Sequence, residues 1–303
     1  MTVEGQTQVA SVPDEARPAT PAVGEITVIR PSSSWVPINL MELWRFRELI
    51  GILALRDIKV RYAQSILGAA WAVLQPLMTM AVFNVLFGLL MGQTGKPTIE
   101  GIPYAVCTYC ALVPWQLFAR GMVSSGDSLV ANQHLITKVY FPRLVVPIAP
   151  ILAALVDSGI AFIVLIGMML FYGIVPGPAI LLLPVLVLLA VATALSVSLW
   201  LSALNALYRD VRHTLPFLSQ LWMFVTPVVY TTASVMKDQP DWVRIVYGLN
   251  PMAGVVEGFR WALLGAPSPP WLVVTTSFLV MSIVLVGGLY FFRRMERVFA
   301  DLV

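Results

Sequence analysis

The chain has 303 residues, of which 58% are hydrophobic and only 12% are charged. A soluble domain carries about 25% charged residues, and a single packed core cannot hide this much apolar surface from water. The composition therefore excludes an ordinary soluble enzyme, a disordered chain and a disulfide scaffold, and predicts a protein that folds in lipid. The net charge of +3 is too weak and too scattered for a nucleic-acid surface.

The first 62 residues divide into two segments of different character. Residues 1–37 are polar and interrupted by five prolines, which predicts a disordered cytosolic tail. This tail has no apolar h-region, so we expect no cleaved signal peptide. Residues 38–62 combine many Leu and Ile residues with eight charges. This pattern is too charged for a membrane span and favours an amphipathic helix in the cytosolic interface.

Long apolar runs fill the remainder, 63–303, which we predict to be an all-α integral-membrane domain. A bilayer core of roughly 30 Å needs about 20 helical residues. Six runs satisfy this length, at about 66–91, 103–125, 144–173, 179–207, 214–232 and 271–292. The segment 242–264 is interrupted at Asn250-Pro251, which predicts two short re-entrant helices on the outer side, between the fifth and sixth spans.

The distribution of Lys and Arg gives the expected orientation. The segments that lie inside when the N-terminus is cytosolic hold thirteen basic residues, against four in the outer segments. Because basic residues concentrate on the cytoplasmic side, we expect a multi-pass protein of the cytoplasmic (inner) membrane with both termini cytosolic.

Signatures of catalysis are missing from the sequence. Gly95-Lys96 is followed by Pro97 and lacks the upstream glycine of a phosphate-binding loop, so we do not expect the chain to hold ATP in that way. No metal-binding spacing of His, Asp or Glu occurs, and Cys107 and Cys110 lie within an apolar run, where small packing residues are expected. We therefore predict no catalytic residue, no metal and no cofactor in this chain.

Charged residues in or beside the apolar runs are the next candidates. Asp157 lies deep in a predicted span, where a charge costs about 2.5–3.5 kcal/mol, and it either lines a conduit or joins two spans. Glu257 and Arg260 are spaced to pair on a helix and are expected to pin the re-entrant helices beside the conduit mouth. A basic cluster in the interface helix either attracts anionic head groups or only orients the chain; its members are Arg56, Lys59 and Arg61.

Aromatic residues and two loops complete the candidates. The aromatic side chains form either an interfacial belt or a conduit lining on which sugar rings slide; those assigned to the conduit are Trp71, Tyr109, Trp115, Phe118, Tyr230 and Trp261. Two short loops, 132–143 and 207–213, either are solvated turns or offer a rigid knob to a cytosolic partner. Their candidate coupling residues are Lys138, Tyr140, Arg143, Tyr208, Arg209 and Asp210.

Several of these stretches occur together in one known family, and they cover residues 40–292. They are RDIKVRYAQSILGAAWAVLQPL (56–77), LVPWQLFARG (112–121), NQHLITKVYFPRLVVP (132–147), LNALYRDVRH (204–213), FVTPVVY (224–230) and LNPMAGVVEGFRWALLG (249–265). In them the chain resembles the type-2 ABC transporter permeases of the O-antigen, teichoic-acid and polyol-phosphate export family.

This resemblance implies a fold and a set of partners. It implies an interface helix at about 40–61, six spans, re-entrant outer helices and a conduit between two copies of the chain. Two separate cytosolic nucleotide-binding subunits, which carry ATP and magnesium, would dock on about 130–142 and on Tyr208, Arg209 and Asp210. The 37-residue tail exceeds the family core, and no carbohydrate-binding extension follows the last span, so recognition of a terminal sugar would belong to the ATPase partner.

The function implied is ATP-driven export of a polyprenyl-diphosphate-linked glycan. Two alternatives remain at this stage. One is a type-2 permease for a smaller lipid or drug, which would not need a continuous polymer path. The other is a membrane enzyme of polyprenyl-linked glycan synthesis, which would need clustered acids or histidines at one membrane face; the acids of this sequence are scattered.

Overall fold

The computed structural model describes residues 40–63, 68, 70–91, 99, 101–230, 240–266 and 269–302. Within these ranges the regular secondary structure is helical, apart from one isolated bridge between Ile99 and Ile102. The all-α prediction is therefore confirmed. The predicted disordered tail at 1–37 lies outside the described residues.

The described helices follow the predicted apolar runs closely. The short helix α1 (Leu40–Arg45) leads into α2 (Arg47–Tyr62), and together they occupy the predicted interface segment. The others are α3 (Ala70–Met91), α4 (Tyr104–Ala131), α5 (Gln133–Lys138), α6 (Val145–Phe171), α7 (Leu183–Leu207, preceded by a 3₁₀ turn at Pro178–Leu182), α8 (Val211–Val225), α9 (Asp241–Gly248), α10 (Pro251–Leu264) and α11 (Trp271–Leu302).

Three described helices are long and apolar enough to cross a membrane: Val145–Phe171, Pro178–Leu207 and Trp271–Glu296. A shorter apolar helix covers Ala70–Leu86. Helix α4 is long enough, since its 28 residues span about 42 Å, but Arg120 and Asp127 reduce its apolar character. Helix α8 has only 15 residues. Six crossings therefore remain a prediction.

Helix α4 lies at the centre of the bundle. It packs along α6 and α7, and its side chains, including Tyr109 and Phe118, are the largest contribution to the main apolar core. A second apolar cluster forms where α4 ends and α6 begins, around Leu129, Leu144 and Phe292. We call this the α5 end of the bundle. Helix α2 packs against α6 and buries Leu53 in that second cluster.

The outward faces of the long helices carry large apolar side chains. Ile163 on α6, Leu188 on α7 and Ile283 on α11 are each about two-thirds exposed or more. Exposed apolar surface on this scale is rare in soluble monomers. It is the surface expected of helices whose surroundings are hydrocarbon.

The break between α9 and α10 forms at the Asn250-Pro251 pair, as predicted. Pro251 occupies the first helical position, and the Asn250 side-chain oxygen accepts the Met252 N–H at 3.1 Å. Ser277 of α11 extends this cap, because its hydroxyl oxygen accepts the Gly254 N–H at 3.0 Å. The start of α10 is thereby fixed to α11.

Helix α8 ends earlier than the predicted span 214–232. Its last residue is Val225, and Thr226 has ψ 142°, an extended conformation. The residue before a proline is pushed out of the helical region by the proline ring, and Pro227 follows directly. Residues 226–230 therefore leave the helix.

We predict that Gly254→Ala destabilises the protein. An added Cβ would lie 2.7 Å from the Cβ of Ser277 and 2.9 Å from the Cα of Val274, so backbone as well as side chain must move. Overpacking of this kind costs about 1–3 kcal/mol. The measurement is the thermal unfolding of the detergent-purified protein. Gly159→Ala is the matched control, since its Cβ would meet nothing within 4 Å, and equal unfolding temperatures would contradict the prediction.

Candidate functional site

The first predicted coupling segment is a short helix exposed at the α5 end. Helix α5 packs its inner side through Leu135 and Ile136 against the second apolar cluster. Lys138 at its end is exposed, and Tyr140 just beyond it is 73% exposed. The apolar packing fixes the position of this segment, and the exposed Tyr140 ring is available to contact another molecule.

The second predicted coupling segment is the turn between α7 and α8. Tyr208, Arg209 and Asp210 are all exposed there. The turn is tied to the end of α4, because Arg212 pairs with Asp127 at 3.3 Å. Asn205, on the other side of the turn, donates to the Gly126 carbonyl oxygen at 3.1 Å.

The two segments therefore lie at the same end of the bundle. Asp127 and Gly126 are in the last turns of α4, directly before α5. Arg143 is the exception among the predicted coupling residues, since it is half-buried and donates from Nη1 to the carbonyl oxygen of Glu296. It fastens the start of α6 to α11 and does not join the exposed surface.

Asp157 is the centre of a buried charge cluster, which we call the Asp157 centre. Its side chain is 1% exposed. Arg61 Nη1 and Arg120 Nη1 both donate to Oδ2, the latter at 3.2 Å, and the Tyr62 hydroxyl donates to Oδ1. Arg120 also donates from Nη2 to Oε1 of Gln75 at 2.7 Å. Side chains from α2, α3, α4 and α6 thus meet at one point.

These bonds satisfy a charge that would otherwise be costly in an apolar bundle. A buried carboxylate is tolerated when donors compensate its lost hydration. Burial, with a smaller contribution from the hydrogen bond to Asp157, raises the pKa of Tyr62 to about 12, so its hydroxyl stays protonated as a donor. Of the two roles considered for Asp157, the described contacts are those of a residue that joins helices.

The three basic residues predicted to form one cluster on α2 have different surroundings in the structure. Arg56 and Lys59 are exposed, and Arg56 pairs with the neighbouring Asp57 at 2.8 Å. Arg61 instead turns inward to Asp157. The sequence groups these three basic residues, but only the fold shows that they face different surroundings.

Arg260 forms a second buried centre at the opposite side of the core. Its side chain is 1% exposed. It donates to the Glu257 carboxylate at 3.1 Å and to four backbone carbonyl oxygens: Cys107 at 3.2 Å, Pro227 at 2.6 Å, Val228 at 2.6 Å and Tyr230 at 2.9 Å. Three of those carbonyls belong to the segment that leaves helix α8. The guanidinium replaces the helical N–H groups that this segment has lost.

Other side chains hold the same non-helical segment. The Tyr104 hydroxyl donates to the Val229 carbonyl oxygen at 2.7 Å. Asn250 donates to the Thr226 hydroxyl at 2.9 Å and accepts from the Trp222 indole at 3.0 Å. Sequence spacing predicted the Glu257–Arg260 pair but missed the carbonyls. The available signal was Pro227, which marks a helix end whose backbone groups need partners.

Three of the predicted conduit aromatics lie in the packed core of the single chain. Tyr109 and Phe118 have no exposed surface, and Trp115 is 3% exposed. Tyr109 donates to the Ala161 carbonyl oxygen at 3.3 Å, and Phe118 meets Trp222 edge-on at 5.2 Å. In this arrangement none of the three presents a ring face to a sugar, which corrects their expected position.

The remaining conduit candidates differ from these three. Trp71 on α3 is exposed, and Tyr230 and Trp261 are half-buried. The Trp261 ring lies 5.3 Å from that of Trp271. Glu257, Arg260 and Asp157 are buried and serve packing or hydrogen bonding within the chain. Among the described residues, no group of three or more His, Cys, Asp and Glu side chains is placed to hold a metal ion.

We predict that Arg260→Met destabilises the protein severely. It would leave several buried carbonyls and the Glu257 carboxylate without their donor, and breaking such a buried pair costs about 3–5 kcal/mol. Thermal unfolding and the monodisperse fraction after purification are the measurements. Glu257→Gln is the control, because it retains an acceptor for Arg260 and should cost clearly less. Wild-type unfolding of Arg260→Met would refute the structural role.

The sequence is similar to a known family and to several characterised proteins. The family described as "ABC-2 type transporter" matches residues 48–264. The O-antigen export system permease protein RfbA of Myxococcus xanthus is 29% identical over 219 residues, which are 72% of this chain and 81% of that protein. RfbA of Klebsiella pneumoniae is 26% identical over 260 residues, 84% of this chain and 95% of that protein.

A further relative is named for transport of a different polysaccharide. The polysialic acid transport protein KpsM of Escherichia coli is 26% identical over 217 residues, covering 70% of this chain and 80% of its own length. The resemblance to permeases of polysaccharide export, based on the motifs in 56–265, is therefore confirmed. The chain belongs to the ABC-2 type transporter family.

Proposed function

We propose that this chain is the permease subunit of an ATP-driven exporter that moves a lipid-linked polysaccharide across the cytoplasmic membrane. The observation that carries the proposal is the family match together with relatives named for O-antigen export and for polysialic acid transport. The exposed apolar faces of α6, α7 and α11 support a location in lipid. The chain itself supplies no ATPase site in this proposal.

The proposed topology has six crossings, formed by α3, α4, α6, α7, α8 and α11. Helices α9 and α10 then form the re-entrant pair between the fifth and sixth crossings. The basic residues Lys138, Arg209, Arg212 and Arg294 lie at the α5 end, in or close to the segments that join the helices there. By the positive-inside rule, we expect this end to face the cytosol, with both termini on the same side.

The ATPase partners would dock at the α5 end. Two cytosolic nucleotide-binding subunits, which hold ATP and magnesium, contact Lys138 and Tyr140 on one segment and Tyr208, Arg209 and Asp210 on the other. Each segment directly joins two long helices, so displacement of the segment displaces both. The Asp127–Arg212 pair and the Asn205–Gly126 bond tie the second segment to α4, so both segments act on the central helix.

Two copies of the chain would enclose the conduit, and a polyprenyl-diphosphate-linked glycan is the proposed cargo. Aromatic faces hold sugar rings weakly at many equivalent places, which suits a polymer that must slide. Trp71, Tyr230 and Trp261 retain exposed surface and are the candidates for these contacts. Arg56 and Lys59, exposed on the interface helix, would add electrostatic attraction to anionic head groups.

The direct test is export in vesicles that contain this chain and its ATPase partner. We expect a lipid-linked glycan to become accessible on the far side of the vesicle membrane only when both proteins and ATP are present. The measurement is glycan accessibility to an impermeant glycosidase. Export by the ATPase partner without this chain would refute the proposed function, and turnover of a glycan precursor by this chain alone would favour a membrane enzyme.

We also predict that charge reversal in the second segment separates ATP hydrolysis from glycan export. Arg209→Glu or Asp210→Arg should reduce export strongly while the chain still inserts, because both side chains are exposed and neither supports the core. The measurement is the ratio of glycan exported to ATP hydrolysed. Arg294→Glu, also exposed and near the same end, is the control, and unchanged export in both reversals would remove this segment from coupling.

A further inference from the structure

The Asp157 centre contains more positive than negative charge. Two guanidinium groups, those of Arg61 and Arg120, converge on a single carboxylate oxygen. Tyr62 donates to the other oxygen as a neutral hydroxyl. The carboxylate of Asp57, on the same helix as Arg61, is already paired with Arg56 at 2.8 Å. The centre therefore carries a formal charge of +1.

The same two arginines have hydrogen-bond donors to spare. A guanidinium group carries five N–H donors. Within the described part of the chain, the side chain of Arg61 donates through Nη1 alone, and that of Arg120 through Nη1 and Nη2. Their side chains are 28% and 19% exposed, whereas Asp157 is 1% exposed. Both arginine side chains are thus partly accessible from outside the chain, while the carboxylate is not.

The position of the centre makes this excess costly without a counter-ion. It lies where α2 packs on α6 and where side chains of α3 and α4 join them, and α6 is apolar enough to cross a membrane. An excess charge beside hydrocarbon needs an anion or water. A phosphate group supplies the charge, and its oxygens match the fork of guanidinium donors better than they match a lysine.

We propose that Arg61 and Arg120 bind the phosphate-bearing head group of a membrane lipid. The inference rests on the proposed function, since it places these residues at the membrane interface. The head group is a phosphate or diphosphate monoanion or dianion, carried either by the lipid-linked cargo or by a bulk anionic phospholipid. Asp157 is not a ligand but the internal carboxylate that holds both arginines at the site.

This arrangement predicts effects of opposite sign for its two kinds of residue. Removal of either arginine takes donors and charge from the head group. Removal of the Asp157 charge frees donors that the carboxylate now occupies and raises the local positive charge. If the cluster only joined helices, all of these substitutions would act in the same direction.

The experiment measures binding to the purified full-length chain in detergent, without its ATPase partner. The probes are farnesyl diphosphate, inorganic diphosphate and micellar phosphatidylglycerol, each titrated and followed by isothermal calorimetry. We expect Arg61→Gln and Arg120→Gln to weaken farnesyl diphosphate binding by about tenfold or more, the loss of one charge-assisted hydrogen bond or more. We expect Asp157→Asn to strengthen it.

The control is Arg47→Gln, on the same helix as Arg61. Arg47 is 55% exposed, lies near the start of α2 and stacks on Trp44. Its loss changes the net charge equally but should leave binding within about twofold, since screening weakens distant surface charges. Arg120→Lys is a second variant that retains the charge, should fold more readily and should bind at an intermediate strength.

Comparison of the probes identifies the source of the head group. Tight binding of farnesyl diphosphate that phosphatidylglycerol does not displace supports the site and assigns it to the cargo. Displacement at equal concentrations supports the site and assigns it to bulk lipid. The proposal is overturned if the arginine variants bind like Arg47→Gln, or if well-folded Asp157→Asn loses binding as the arginine variants do.

Failure of this inference and failure of the proposed function give different results. Binding is measured without ATP or the partner, whereas export requires both. Intact export with arginine-independent binding overturns only the head-group site. Arginine-dependent binding without any ATP-driven export overturns the proposed function and leaves the site as a lipid-binding feature of this membrane protein.

Discussion

Hydrocarbon offers no hydrogen bonds, so every charge and every helix break inside this protein needs a partner from the protein itself. Two buried residues meet this requirement in opposite ways. Asp157 is a carboxylate surrounded by donors from other helices, including Arg120 at 3.2 Å. Arg260 is a donor surrounded by acceptors, four of them backbone carbonyls. These two centres therefore act as joints, since each attaches particular helices to one another within a largely apolar bundle.

The two joints restrain different parts of the chain. The Asp157 centre fastens α2 to α3, α4 and α6, whereas Arg260 fastens the extended end of α8 to α10 and α4. Between the joints, contacts are mostly apolar and non-directional, so they resist separation of helices more than small sliding. Close approach of glycine, as Gly254 makes to Ser277, tightens α10 on α11. The helices are thus held together by a few specific polar contacts and by extensive apolar contacts that do not fix one exact arrangement.

The sequence predicted the helices well, because run length and proline position act locally. The break at Asn250-Pro251 appeared where expected. Helix α8 ended early, at Val225, because of Pro227, whereas α4 and α11 continued past their predicted ends, to Ala131 and Leu302. The pairing of side chains was harder to predict from the sequence, because partners such as Arg61 and Asp157 are 96 positions apart in the chain. Burial of Tyr109 and Phe118 was equally hidden, because in a chain apolar on all sides hydrophobicity does not distinguish the lipid face from the core.

The central helix α4 connects these features in one structure. Its last turns meet both exposed segments of the α5 end, through the start of α5 and through Asp127 paired with Arg212. Arg120, two turns earlier, belongs to the Asp157 centre. The Cys107 carbonyl, near its beginning, belongs to the Arg260 centre. Between Arg120 and Cys107 the helix contains Pro114, which removes one backbone hydrogen bond. The stretch from the α5 end to Arg120 has no proline, so the Asp157 centre is the more directly connected of the two. In the proposed exporter, this shared helix would let a partner that moves the α5 end act on contacts deeper in the bundle.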